Sequence, residues 1–295
     1  MINKLYLLLI TLFLSSYFYS IVEEDPLPTL GDYSSASISL SGEYELGRLW
    51  LAMYRGSTKE HSDPLMRTYL EDLIYRLSET SEVRDRRFEF IILEDESINA
   101  FAAPGGIIGI NLGMFLNTQR EGELASVMCH ELAHLSQRHY ARSQNRSSPL
   151  ANALMILASI AVAAASRNPE AIVIAPAAMQ QMSINYTRSN EREADRIGFN
   201  NLVKAGFDPN DMTMMFQRMQ DKYQRDDSEQ FSYLMTHPLP SERLTDMRIR
   251  ADSISKPSEG SFRDNLDFYF MQKRAEIWAE KDTKELIKKY KKDLE

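Results

Sequence analysis

Apolar residues return every third or fourth position along 43–55, where EYELGRLWLAMYR sets Leu46, Leu49, Trp50 and Met53 on one side. After Pro64 the same spacing puts Leu65, Tyr69, Leu73 and Leu77 in one stripe. Both runs predict amphipathic helices. The period then changes: RFEFIILED alternates Phe88, Phe90 and Ile92 against Glu89, Ile91 and Leu93, which predicts a strand. INAFAAPGGIIGINLGMF (98–115) reads as a strand, a Pro-Gly-Gly turn, a second short strand and a turn into a helix. Helical spacing dominates afterwards, over 121–142, 150–165, 171–200 in two pieces, 209–223 and 241–253. A final helical pair, the second member heavily charged, is predicted over 263–295. Helices, a small sheet, then more helices define an α+β fold.

The first 22 residues depart from this pattern. One charge, Lys4, precedes an apolar core at 5–14, then serines and an acidic break. This is the layout of a secretory signal peptide, and the run to Val22 is also about long enough to be retained as an anchor. In either case the remainder is expected outside the cytoplasm. Residues 23–41, rich in Ser, Pro and Asp, read as an extended lead-in to a domain over 42–258, with a helical extension at 259–295.

Composition narrows the function. The 295 residues are 43% hydrophobic and 26% charged, the make-up of a globular protein. A formal net charge of -8 excludes a phosphate-neutralising surface, hence a nucleic-acid partner. With Cys129 alone, neither an intrachain disulfide nor a cysteine-based metal cluster can form.

The chemistry concentrates in SVMCHELAHLSQRHYA (126–141). On a helix, His130 and His134 project from one face and can share one tetrahedral zinc. Glu131 follows the first histidine by about a hundred degrees of rotation, so it flanks the metal as a general base rather than a ligand. A third ligand is needed, and SNEREADRIGF (189–199) offers Glu191 and Asp195 four apart on one face beside the small Ala194. Glu191 is the expected third ligand. Asp195 would hold a ligating imidazole through its other ring nitrogen.

HELAH followed by EREAD resembles the gluzincin metallopeptidases. INAFAAPGG, ELASVMCHELAHLSQRH, GFDP and THPLPSERL resemble more closely the CAAX-prenyl-protease type, in the exported bacterial branch that tends β-barrel assembly. The likeness runs from about residue 42 to about 255. It implies a mostly helical zincin-type domain with a small sheet beside the HExxH helix. It further implies one Zn2+ per chain and an endopeptidase acting on unfolded or misassembled envelope proteins, in contact with outer-membrane assembly machinery. The resemblance maps His237 onto a fourth metal position, which would hold the enzyme latent; the alternative is an imidazole that hydrogen-bonds substrate. Loop 231–240 is expected to move before substrate binds. Arg243 maps near the active site, on an oxyanion or on a ligand carboxylate. The strand Ile107, Ile108, Gly109, Ile110 and Asn111 would pair with an extended substrate. The branch continues into a tetratricopeptide array, of which 267–282 could begin one hairpin, so a short or truncated member is expected. A second class of function stays open: a chaperone-like assembly factor with a mostly closed zinc site.

Other residues receive plainer expectations. Cys129 and Met212, Met214, Met215 and Met219 are expected to fill core. His61 and His139 are placed on the surface, with Arg192, Glu193 and Arg196 on an exposed helix face. KKYKK near the end is expected to be a solvated face. The apolar stretch 149–179 is expected to be a buried hairpin or, alternatively, a flap giving peripheral membrane contact.

Overall fold

The computed structural model describes residues 38–144, 187–225, 232–239, 241–254 and 265–293. The leader at 1–22, most of the lead-in and the stretch 149–179 lie outside the described residues.

Helix α1 (Leu40–Arg55) begins three residues earlier than the apolar spacing indicates, because the Ser39 hydroxyl caps it by accepting the Gly42 N–H. Helix α2 (Pro64–Thr80) starts on Asp63, whose carboxylate accepts from Leu65 and Met66, with Pro64 in the first turn.

Strands β1 (Glu89–Leu93), β2 (Ala100–Ala103) and β3 (Ile107–Asn111) form one sheet in the order β1-β3-β2. The β2–β3 hairpin turns at Gly105 and Gly106, whose φ of 76° and 78° suits residues without a Cβ. β1 runs parallel to β3 with Glu89 opposite Ile107. The alternation of 87–95 suggested one solvated face, yet both faces are covered. Phe90 and Ile92 join the main core, while Ile91 packs with Trp50, Tyr54 and Phe101 under α1. The topology also corrects the expected substrate strand. Residues Ile107–Asn111 are the central strand, with ladders to β1 and β2 already formed, so no backbone edge is left there for a substrate.

Helix α3 (Leu112–Asn117) leads into α4 (Glu121–Ser136), which is buried along nearly its whole length. The predicted helix 121–142 is not continuous. It stops at Ser136, turns through Arg138 at φ 51°, and restarts as α5 (His139–Gln144). A left-handed non-glycine residue costs about 1–3 kcal/mol. The Arg138 guanidinium offsets this by binding the Glu43 carboxylate at 2.9 Å and the Ile38 carbonyl.

Helices α6 (Arg188–Lys204), α7 (Asn210–Arg225), the short α8 (Ser232–Thr236) and α9 (Ser241–Ser253) follow. The expected final pair appears as α10 (Leu266–Ala279) and α11 (Thr283–Asp293). α10 packs on α2 and α3, and its cap residue Asn265 donates to Glu121 at 2.6 Å. Cys129, Met212, Met215 and Met219 are core residues as expected. Among the described residues no helix is long and apolar enough to cross a membrane.

The contact that positions the site is α6 lying along α4. It is close because Ala194 is buried at the crossing and Gly198 has no side chain. A Cβ at Gly198 would stand 2.9 Å from the His130 amide nitrogen and 3.0 Å from the Cys129 carbonyl. Backbone cannot yield as a flexible side chain does. Gly198→Ala is therefore expected to cost about 1–3 kcal/mol through overpacking, read as a several-degree fall in melting temperature. An unchanged melting curve would show that the two helices are not in this contact.

Candidate metal centre

Two elements bring four donors together. α4 supplies His130 and His134 one turn apart, and α6 supplies Glu191 in its first turn. His237, immediately after α8, closes the set, and all four are buried. The Nε2 atoms of His130 and His134 are 2.9 Å apart, and His237 Nδ1 lies 3.3 Å from His130 Nε2. Glu191 reaches His237 Nδ1 at 3.1 Å and both His130 and His134 at 3.4 Å. Zinc with ligands at 2.0–2.1 Å requires donor separations of about 3.3 Å along the edges of its tetrahedron. The observed distances fit.

Charge points the same way. Glu131, Glu191 and Asp195 are three buried carboxylates facing one buried guanidinium, Arg243. With the imidazoles neutral, as binding a cation requires, the sum is about -2, which a divalent cation cancels. Among the described residues neither buried oxygen of Glu131 has a side-chain hydrogen-bond partner, and the nearer one lies 3.6 Å from His237 Nε2. A buried carboxylate without such a partner is expensive structurally and expected where a reacting group will sit.

Around the donors a second set of contacts fixes their orientation. His130 Nδ1 meets Asp195 Oδ1 at 3.0 Å, on the side of the ring away from the other donors. Arg243 grips Asp195 through Nε at 2.6 Å and through an Nη at 2.7 Å. Its other Nη meets Glu191 at 2.9 Å and the Pro238 carbonyl at 2.7 Å. Of the two roles open to Arg243, the geometry places it on the ligand carboxylates. Pro238 adjoins His237, so the same guanidinium anchors the chain bearing the fourth donor.

Burial would lower the His130 pKa, but hydrogen bonds to Asp195 and Glu191 raise it to about 9. Burial drives His134 well below its ordinary value. Burial opposes ionisation of Glu191 and Asp195, yet His237 and Arg243 respectively hold them below the usual range. Glu131 is pushed up by burial, offset in part by His237 and His130. The carboxyl that burial pushes upward is thus the one beside the donors, whereas Glu191 among them is held down.

The sequence placed His139 on the surface, and the structure does not. It is buried, with Nδ1 2.8 Å from His134 Nδ1 and Nε2 3.0 Å from Glu193. Burial lowers its pKa. Glu193, expected to be exposed, is half-buried and also receives Arg142 at 3.0 Å. His61 is half-buried too, 3.3 Å from Glu94 and edge-on to Trp278. Tyr233 was not singled out at all; its ring stacks on His237 at 4.6 Å, and the His237 N–H donates to its carbonyl at 2.7 Å. The break at Arg138 hid His139, because 136–138 carries no glycine or proline to announce it. Nothing in YLMTHP marks Tyr233 as a platform for the imidazole.

Two histidines from one helix, a glutamate from a second and a flanking buried glutamate reproduce the donor set of a HExxH-type metal centre. The chain belongs to peptidase family M48, whose family model matches residues 64–251. It is 41% identical over 242 residues to the putative β-barrel assembly-enhancing protease of Vibrio cholerae serotype O1, covering 79% of this chain and 49% of that one. It is 36% identical over 257 residues to the β-barrel assembly-enhancing protease of Escherichia coli K12, covering 85% and 51%. Mitochondrial metalloendopeptidase OMA1 of Schizosaccharomyces pombe is 24% identical over 234 residues, covering 77% and 66%. The chain thus spans about half the length of the curated bacterial relatives it matches.

Two outcomes are expected. Arg243→Ala strands buried carboxylates and should destabilise the metal-free protein by about 3–5 kcal/mol; a chemical-denaturation midpoint equal to wild type would reject this placement. Because His130 holds a proton below pH of about 9, zinc must displace it. Apparent zinc affinity should therefore fall as pH drops from 9 to 6, by up to about tenfold per unit for each proton released. A flat profile in chelator competition would contradict it.

Proposed function

We propose that this chain is a zinc-dependent endopeptidase of the cell envelope that removes misfolded or misassembled outer-membrane proteins, and that His237 holds it latent. The observation that carries the reading is the buried four-donor cluster with the buried Glu131 carboxylate beside it. The substrate class draws support from the bacterial relatives, which are named β-barrel assembly-enhancing proteases. An exported location, contact with outer-membrane assembly machinery and the CAAX-type assignment belong to the same proposal.

His130, His134 and Glu191 would hold the zinc, which supplies Lewis acidity toward a scissile carbonyl and makes a nearby water acidic. Glu131 takes the proton of the attacking water and passes it to the leaving amine. Its burial raises the carboxyl toward the working pH, which suits both transfers. Asp195 keeps His130 in orientation, and Arg243 keeps Asp195 ionised while also contacting Glu191. Since β3 is enclosed, the sheet edge for an extended substrate is β2, which packs against α4 and, among the described residues, pairs only with β3.

His237 supports latency by its position. Nδ1 faces the donor cluster and Nε2 faces Glu131, so the ring fills the space between metal position and base. A zinc with four protein ligands is a closed site. The same observation favours the second reading, an assembly factor whose zinc is mostly structural.

Casein hydrolysis by the purified chain separates the two. Glu131→Gln should lose about 10²–10⁴-fold in rate while keeping zinc. His237→Ala should cleave faster than wild type. If neither wild type nor His237→Ala cleaves while both hold zinc, the assembly-factor reading takes over.

A further inference from the structure

His139 has no part in the mechanism above, yet it is buried against a metal-site histidine and ends on a charged pair. We propose that His139 is a positioning residue that fixes the ring tautomer and orientation of His134 through a relay His134–His139–Glu193, braced by Arg142. The inference rests on the reading of His130, His134 and Glu191 as metal ligands.

Glu193 is an ionised carboxylate and accepts only, so His139 Nε2, 3.0 Å away, must carry the hydrogen of that contact. In a neutral imidazole Nδ1 is then the acceptor. It lies 2.8 Å from His134 Nδ1, which must therefore be the N–H donor. With its hydrogen on Nδ1, His134 has only a lone pair on Nε2, the atom that faces His130, Glu191 and the rest of the cluster. A carboxylate at the half-exposed edge of α6 thereby dictates which nitrogen of a buried ring is free to bind a cation. The Arg142 contact to Glu193 at 3.0 Å keeps that carboxylate charged and in place.

The relay has a counterpart on the other ligand. His130 Nδ1 lies 3.0 Å from Asp195 Oδ1, and Arg243 holds Asp195. Both ligating histidines thus end on a carboxylate–arginine pair, one directly and one through a second imidazole. The backbone break at Arg138 makes the second arrangement possible. On an unbroken helix a residue five positions after His134 would lie about 140° away around the axis.

The test is zinc affinity of the metal-stripped full chain, by competition with a chromogenic chelator at fixed pH. The visible band of the cobalt-loaded protein is a second readout. His139→Ala should weaken zinc by about 10–100-fold and shift the cobalt band. His139→Asn, whose side-chain oxygen can accept from His134 Nδ1, should recover much of the affinity and the band. Should His139→Ala fail to fold, Glu193→Ala at its half-exposed position decides instead, with an expected weakening of several-fold. Wild-type affinity in His139→Ala or Glu193→Ala overturns the relay. So does an Asn variant as weak as the Ala variant while both metal-free proteins melt alike. His134→Ala is the control: if it binds zinc as wild type does, the ligand assignment is at fault, and the relay falls with it.

Discussion

Seven ionisable side chains share one buried space: His130, Glu131, His134, Glu191, Asp195, His237 and Arg243. Charges removed from water must be neutralised by one another or by an ion, since an isolated buried charge costs far more than a domain's margin of stability. Arg243 meets two of the three carboxylates, and the imidazoles hydrogen-bond the same two. Among the described residues Glu131 receives no side-chain hydrogen bond. The remaining negative charge is what gives the cluster its appetite for a divalent cation, and that buried carboxylate is what gives it a base.

This arrangement needs a scaffold that holds two helices closer than ordinary side chains permit. The absent side chain of Gly198 lets α6 rest on the backbone of α4 at His130, and Glu191, two turns earlier on α6, is thereby carried to the paired imidazoles. The small sheet stands beside α4 with β2 against it and β3 enclosed. The turn at Arg138 costs backbone strain, which contacts to Glu43 and Ile38 offset, and it aims His139 back at the site.

His237 sits between the other donors and Glu131. It is held from three sides: the Tyr233 ring, the Tyr233 carbonyl and the Arg243 contact to Pro238. Arg243 therefore joins Asp195 and Glu191 to the chain that bears His237. Displacing His237 would leave Glu131 facing the cluster directly, with no change needed in α4 or α6.

How much of this was legible depended on the range of the interaction involved. His130, Glu131 and His134 could be read because helical periodicity alone puts them on one turn, and Glu191 and Asp195 because their spacing repeats that logic on a second helix. The α+β order, the hairpin at Gly105 and Gly106 and the final helical pair were likewise local patterns. Arg243 and His237 were found only through resemblance to a family, since no local rule joins them to α4. His139, Glu193 and Tyr233 were misplaced or passed over, because a burial class depends on what packs on a residue and not on its neighbours in the chain. The central place of β3 was hidden for a related reason: strand propensity says nothing about which strands flank it. The sequence by itself determined the donors and the helices that carry them. The tertiary structure decided which carboxylate each imidazole answers to, how deeply Glu131 is buried and which strand lies at the centre of the sheet, because those depend on contacts between segments far apart in the chain.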